Sequence, residues 1–184
     1  MIIRKATLED AAGMARVHVD TWRTTYAGIV PDAFLANMSH DRSSRGWAAQ
    51  LSAQGGTVAY VAEDPLHNIV GFAACGPERT KDPDYKGELY AIYVLKGEQQ
   101  RGLGKLLVTA AARELRAAGL DSMIAWVLAE NPSRLFYEAI GGTRVREKEI
   151  VIGEKKLLEL GYGWNDLSKI AASSTEQAGG EEVS

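Results

Sequence analysis

Only one cysteine, Cys75, occurs in the chain, so no intrachain disulfide can form and nothing in cysteine usage argues for an oxidising compartment. No apolar run reaches the roughly 20 residues that a membrane-spanning helix needs. The opening stretch MIIRKATLEDAAG sets charges where a secretory signal would carry its apolar segment. A cytoplasmic protein without a membrane partner is expected. Neither sign of charge dominates: 21 lysines and arginines against 24 aspartates and glutamates leave −3, which gives no electrostatic reason to expect nucleic acid. The three histidines, His18, His40 and His67, and Cys75 lack metal-ligand spacing, so no metal is expected. No Gly-x-Ser-x-Gly elbow is present to support a serine hydrolase.

What is present describes an ordinary globular chain. With 184 residues, 46% hydrophobic and 24% charged, it can build one sizeable core, and a single domain over residues 1–167 is expected. The remainder, 168–184, is poor in large apolar residues and reads as a disordered tail. MIIRKA reads as a strand, and Thr7 with Asp10 forms a capping box for a helix starting near Leu8. Short helices over Asp32 to Met38 and from about Asp41 to Leu51 follow, a helical lid candidate. TVAYVAE and NIVGFAACG then read as a hairpin, GELYAIYVL as a further strand, SMIAWVLA as another, and TRVREKEIVI with EKKLLELGY as a closing pair. Helices fall at Leu103 to about Ala118 and in NPSRLFYEAI. The order implies an α/β (α+β) fold with a mixed, mostly antiparallel central sheet of about seven strands flanked by helices.

Two glycines, Gly102 and Gly104, stand between a strand and a helix whose apolar positions Leu103, Leu107, Ala111 and Leu115 keep the helical period. The first amides of such a helix have no partner within it and favour an anion, while glycine lets an oxygen approach the backbone. Arg101 and Lys105 add positive charge on either side. A phosphate loop and a merely tight structural turn are both compatible with this stretch. A Walker loop is excluded because Leu106 follows Lys105, and a dinucleotide fingerprint because Leu107 stands where a small residue is needed.

Gln99-Gln100-Arg101-Gly102-Leu103-Gly104 resembles the Q/R-x-x-G-x-G/A signature of the GNAT acetyltransferase superfamily. ELYAIYVLKGEQQRGLGKLL and NPSRLFYEAIGG are similar to that family's central strand, loop and helix and to its second cofactor segment, and the element order fits from Met1 to about Leu167. The resemblance implies acetyl-CoA as co-substrate, held by the loop residues Gln99, Gln100, Arg101, Gly102, Leu103, Gly104 and Lys105. It further implies that the backbone of Ile92, Tyr93 and Val94 pairs with the pantetheine arm, which Asn131 also contacts. Homodimerisation is a family-level expectation. One departure is Gly142 after Gly141, where the family often has a bulky residue, and this is expected to loosen the wall of the site.

An alkylammonium has a pKa of about 10.4, so an amine acceptor needs a base before it can attack a thioester. Glu88 opens the uncharged strand ELYAIYV, and the resemblance puts it at the general-base position; Tyr137 falls beside the coenzyme sulfur as general acid. Asn131 before Pro132 is an N-cap with proline at N1. Trp22 and Tyr26, within the mixed segment Asp20 to Gln50, are candidates for the acceptor side, as are Trp47 and Trp126, while Trp164 could close the last strand. The acceptor is an amine-bearing small molecule or a protein N-terminus or lysine. The alternative is a non-catalytic acyl-CoA-binding or regulatory module.

Overall fold

Strand β1 (Ile2–Lys5) leads through a single 3-10 turn, Leu8–Asp10, into helix α1 (Ala11–Thr25). The computed structural model describes residues 1–53 and 56–172. At the turn the Asp10 carboxylate accepts from the Thr7 backbone N–H at 2.8 Å, the return half of the box expected from these two residues. Helices α2 (Asp32–Ala36) and α3 (His40–Ser52) follow, with Ser39 Oγ accepting the Arg42 amide at the start of α3. Strands β2 (Val58–Glu63), β3 (Ile69–Pro77) and β4 (Gly87–Val94) form an antiparallel meander. Helix α4 (Leu103–Ala117) then crosses over to β5 (Met123–Leu128), which runs parallel to β4 as a crossover connection requires. Helix α5 (Arg134–Ala139) precedes the hairpin of β6 (Thr143–Ile152) and β7 (Lys155–Trp164), and β7 inserts next to β5. The resulting sheet has seven strands in the order β1-β2-β3-β4-β5-β7-β6, the mixed and mostly antiparallel arrangement expected.

Apolar side chains cover both faces of the sheet. On one face Leu103, Leu107, Val108, Ala111 and Leu115 of α4 pack on Ala73, Leu89, Ala125 and Leu160. On the other, Met14 and Val17 of α1 and Trp47 of α3 pack on Val61, Phe72 and Ala74. The expected tail does not begin at Ser168. Residues Ser168–Ala172 form helix α6, because Leu167 and Ile170 bury against the α4 side of the core. The rest of that tail, 173–184, lies outside the described residues. No helix among the described residues is long and apolar enough to cross a membrane.

A polar clamp joins the first strand to the rest. Arg4 donates to Asp10 at 2.7 and 2.8 Å and to Glu63 on β2 at 2.7 Å, and both carboxylates are buried. The Arg4 guanidinium holds Asp10 below the ordinary aspartate range, and hydrogen bonding to His67 and then Arg4 does the same for Glu63. Depressed carboxylate pKa values stabilise the folded chain above the unfolded values of about 3.9 and 4.3, and that stability is lost as pH falls through the folded values. Urea unfolding should therefore show stability declining as pH is lowered below about 5. Arg4→Ala should lower the melting temperature at neutral pH by several degrees and flatten the acid slope; an unchanged slope would remove the clamp from the account.

Candidate active site

Strands β4 and β5 pair only over Gly87 to Leu89 and Met123 to Ala125, and beyond this they part. The outer edge of β4 stays on β3 as far as Val94, with a register shift at Ala74/Cys75 that leaves Tyr90 opposite no partner. From Tyr90 onward, the edge of β4 that faces β5 carries backbone groups with no strand to receive them. A cleft of about 590 Å³ fills the gap. Ile92, Tyr93 and Val94 line it along β4, and Trp126 and Val127 line it along β5.

The glycine loop closes one end of this cleft, with Gln99, Gln100, Gly102, Leu103, Gly104 and Lys105 all on its wall. Gln100 and Gly102 both take left-handed backbone, at φ of 61° and 79°. Left-handed residues alternating with ordinary ones turn successive N–H groups into one concavity, here at the first turn of α4. The Gln99 side chain donates through Nε2 to Val94 O at 3.0 Å and ties the loop to the strand end. Arg101 departs from expectation: it pairs with Glu98 at 2.8 Å, is largely exposed and does not line the cleft. Its partner Glu98 does line the cleft, and Lys105 is the cation on the wall among the described residues. Gly104 serves packing as well, because a Cβ there would stand 3.2 Å from the Phe136 ring.

Asn131, Tyr26 and Tyr137 come together on the same cleft. Asn131 Oδ1 accepts the Ser133 amide at 2.8 Å, so it does cap the segment, but α5 begins at Arg134 rather than at Pro132. Its Nδ2 donates to Tyr26 Oη at 3.1 Å, joining the end of α1 to the start of α5. The Tyr137 ring stacks on Tyr162 with centroids 5.6 Å apart, and its hydroxyl forms no hydrogen bond among the described residues. Burial pushes the Tyr137 phenol well above its ordinary pKa, so it holds its proton at neutral pH. The expectation that Gly142 loosens the wall does not hold. A Cβ there would lie 2.5 Å from Trp164 and 2.8 Å from Tyr137 O, so the absent side chain is what lets the Trp164 ring pack edge-on behind Tyr137, with its indole N–H on Ile140 O at 3.1 Å.

Glu88 is buried beside the cleft and does not line it. Its carboxylate accepts the Arg79 amide at 3.2 Å and the Arg79 side chain through Nε at 3.0 Å and Nη2 at 2.5 Å. Arg79 also lies over the Tyr90 ring, 4.2 Å from its centroid. Sequence reading missed Arg79, since nothing local marks an arginine whose partner is nine residues away across a loop. Trp22 stands behind the cleft: its indole N–H donates to Tyr93 Oη at 2.9 Å and its ring packs on Tyr26. Trp47 belongs to the core on that face. His18 is the structural histidine expected, with Nδ1 3.0 Å from Ser43 Oγ, its ring stacked on Tyr93, and burial lowering its pKa to about 4. Among the described residues no group of three or more His, Cys, Asp or Glu could hold a metal ion.

Residues 79–151 match the family model described as FR47-like protein. The chain is 40% identical over 168 residues to an uncharacterized N-acetyltransferase, YuaI, of Bacillus subtilis (strain 168), a match that covers 91% of this chain and 95% of that one. Among solved structures, yncA of Salmonella typhimurium with acetyl-CoA superposes with a TM-score of 0.69 at 21% identity, over 91% of this chain and 94% of that one. A ribosomal-protein-alanine N-acetyltransferase from Brucella melitensis superposes at 0.70 and 21% identity, over 89% and 99%. The chain belongs to the GNAT superfamily and is an acyltransferase of the N-acetyltransferase type.

Gly142→Ala should cost about 1–3 kcal/mol of stability through overpacking. Thermal unfolding and the Trp164 contribution to fluorescence would register it; a variant as stable as the parent would show that the Trp164 wall has room to yield.

Proposed function

We propose that the cleft binds acetyl-CoA and that the protein transfers the acetyl group to an amine, with Tyr137 as general acid and Glu88 as the source of general-base assistance. One juxtaposition carries this reading: an unpaired strand edge, a concave loop of amides at a helix N-terminus and a proton-holding tyrosine share one cleft. The unpaired edge of β4 at Ile92 to Val94 suits an extended chain with amides of its own, which adds to the sheet as a strand would. The loop amides of Gly102 to Gly104 and the Lys105 ammonium suit a pyrophosphate. Acetyl-CoA supplies the acetyl group as a thioester.

The roles of the side chains follow from their surroundings. An alkylammonium loses a proton before its nitrogen can attack the carbonyl carbon. Glu88 accepts three hydrogen bonds from Arg79, and a carboxylate offers about four lone-pair directions. One direction is left, and since the carboxylate stands off the cleft wall it takes the proton through water. As the N–C bond forms and the C–S bond breaks, Tyr137 gives its phenolic proton to the departing sulfur and is reprotonated with the proton taken from the amine. No covalent enzyme intermediate is needed. Tyr26 contributes to the acceptor wall, with Trp22 holding it and Tyr93 in place from behind.

Calorimetry should give saturable one-to-one binding of acetyl-CoA, stronger than that of ADP. With an amine acceptor, Tyr137→Phe should slow thiol release by about 10²–10⁴-fold while leaving acetyl-CoA binding nearly intact. Glu88→Gln should slow it by about 10²-fold while leaving acetyl-CoA binding nearly intact. Binding without thiol release from any amine would favour the non-catalytic acyl-CoA-binding module. Absence of binding would defeat the reading altogether.

A further inference from the structure

Two hydrogen-bond donors on the cleft wall are buried with nothing to receive them among the described residues: Thr21 Oγ1 on α1 and Trp126 Nε1 on β5. Thr21 is only 6% exposed. Buried polar groups are nearly always paired, so two orphans on one cleft point to a partner that arrives with the ligand. The third orphan of this kind, Thr109 Oγ1 on α4, does not line the cleft and serves as a control.

Both elements stand on the acceptor side. Along β5, Met123, Ala125 and Val127 belong to the core beneath α4, so Trp126 faces the opposite side of the sheet, where α1 and α2 lie. Tyr26 is on that side too, and since its oxygen already accepts from Asn131 its own proton is available to donate. An indole N–H can only donate. Three donors on one wall call for an oxygen-rich group, and a carboxylate, with about four lone-pair directions, can accept from all of them where an amide oxygen cannot. The protein's own carboxylate behind this wall, Glu159, is paired with Lys148 at 3.4 Å, whose ammonium also lies 3.8 Å from the centre of the Trp126 ring.

We propose that the acceptor is a small amine carrying a carboxylate close to its nitrogen, the chemistry of an amino acid, and that Thr21 and Trp126 are the specificity-determining donors to that carboxylate. The proposal rests on the acetyl-transfer reading above and specifies its substrate class. It separates this enzyme from one acting on polyamines, aminoglycoside-like amines or lysine side chains, which offer no such anion beside the reacting nitrogen.

The test is thiol release from acetyl-CoA with matched acceptors: an amino acid, its amide and the amine left by decarboxylation, taken across several side chains. The carboxylate form should be favoured in kcat/KM by about tenfold or more over the other two, the factor expected when a hydrogen bond to a charged group is removed. Thr21→Val and Trp126→Phe should each pull that preference toward unity, whereas Thr109→Val should leave it as in the parent. Acetyl-CoA titration of each variant reports whether its donor site is intact, and either cleft variant alone suffices if the other does not fold. Preference for the decarboxylated amine or the amide overturns the proposal while acetyl transfer stands. A preference undisturbed in both variants removes Thr21 and Trp126 from the recognition. Acetyl-CoA binding with no release from any acceptor defeats the acetyl-transfer reading, and this proposal falls with it.

Discussion

The site depends on the early end of one parallel strand pair. β4 and β5 share a ladder over three residues each and then separate, which leaves a strand edge inside the protein without a neighbouring strand. Backbone groups in such a place need partners, and a groove that admits water or an extended ligand provides them. The gap is held open from both sides. β7 pairs with β5 along its full length and keeps it with the C-terminal hairpin, while β3 holds β4 as far as Val94. Helices α4 and α5 start where the two strands end, so the glycine loop and the Asn131 segment meet across the cleft, with Gly104 against Phe136 at the contact.

Around that gap the polar groups divide into those already committed and those left available. Glu88, Asn131, Gln99, Trp22 and Arg101 all have protein partners, and each partner fixes a piece of the wall. The Tyr137 hydroxyl, Thr21 Oγ1 and Trp126 Nε1 have none among the described residues. The committed groups make the cleft rigid before any ligand enters, which lowers the ordering cost of binding. The available ones are the groups on which the proposed ligand contacts rest. Arg79 illustrates the division well, since it occupies most of the Glu88 carboxylate, which stands off the cleft wall.

Much of the architecture was legible because it rests on local rules. The helical period of Leu103, Leu107, Ala111 and Leu115, the β-branched and aromatic runs, and the Thr7–Asp10 box each predict an element that is present. The loop was legible because Gly102 and Gly104 stand between a strand run and a helical period and the hexapeptide around them resembles a family signature, whereas the left-handed backbone of Gln100 had no local signal. Two readings failed where the decisive partner was remote. Gly142 makes room for Trp164, and the supposed tail starts as a helix because Leu167 and Ile170 find the α4 side of the core.

The sequence by itself determined the succession of elements, the superfamily and the loop, since periodicity and backbone preference act over a few residues. Only the tertiary structure decided which of the candidate side chains reach the cleft, because that depends on where the ladder between β4 and β5 stops and on which distant partner takes up each donor and acceptor first. Glu88 and Tyr137 carry equal weight as letters in the sequence. A guanidinium from the preceding loop holds one, and an aromatic stack leaves the hydroxyl of the other unclaimed.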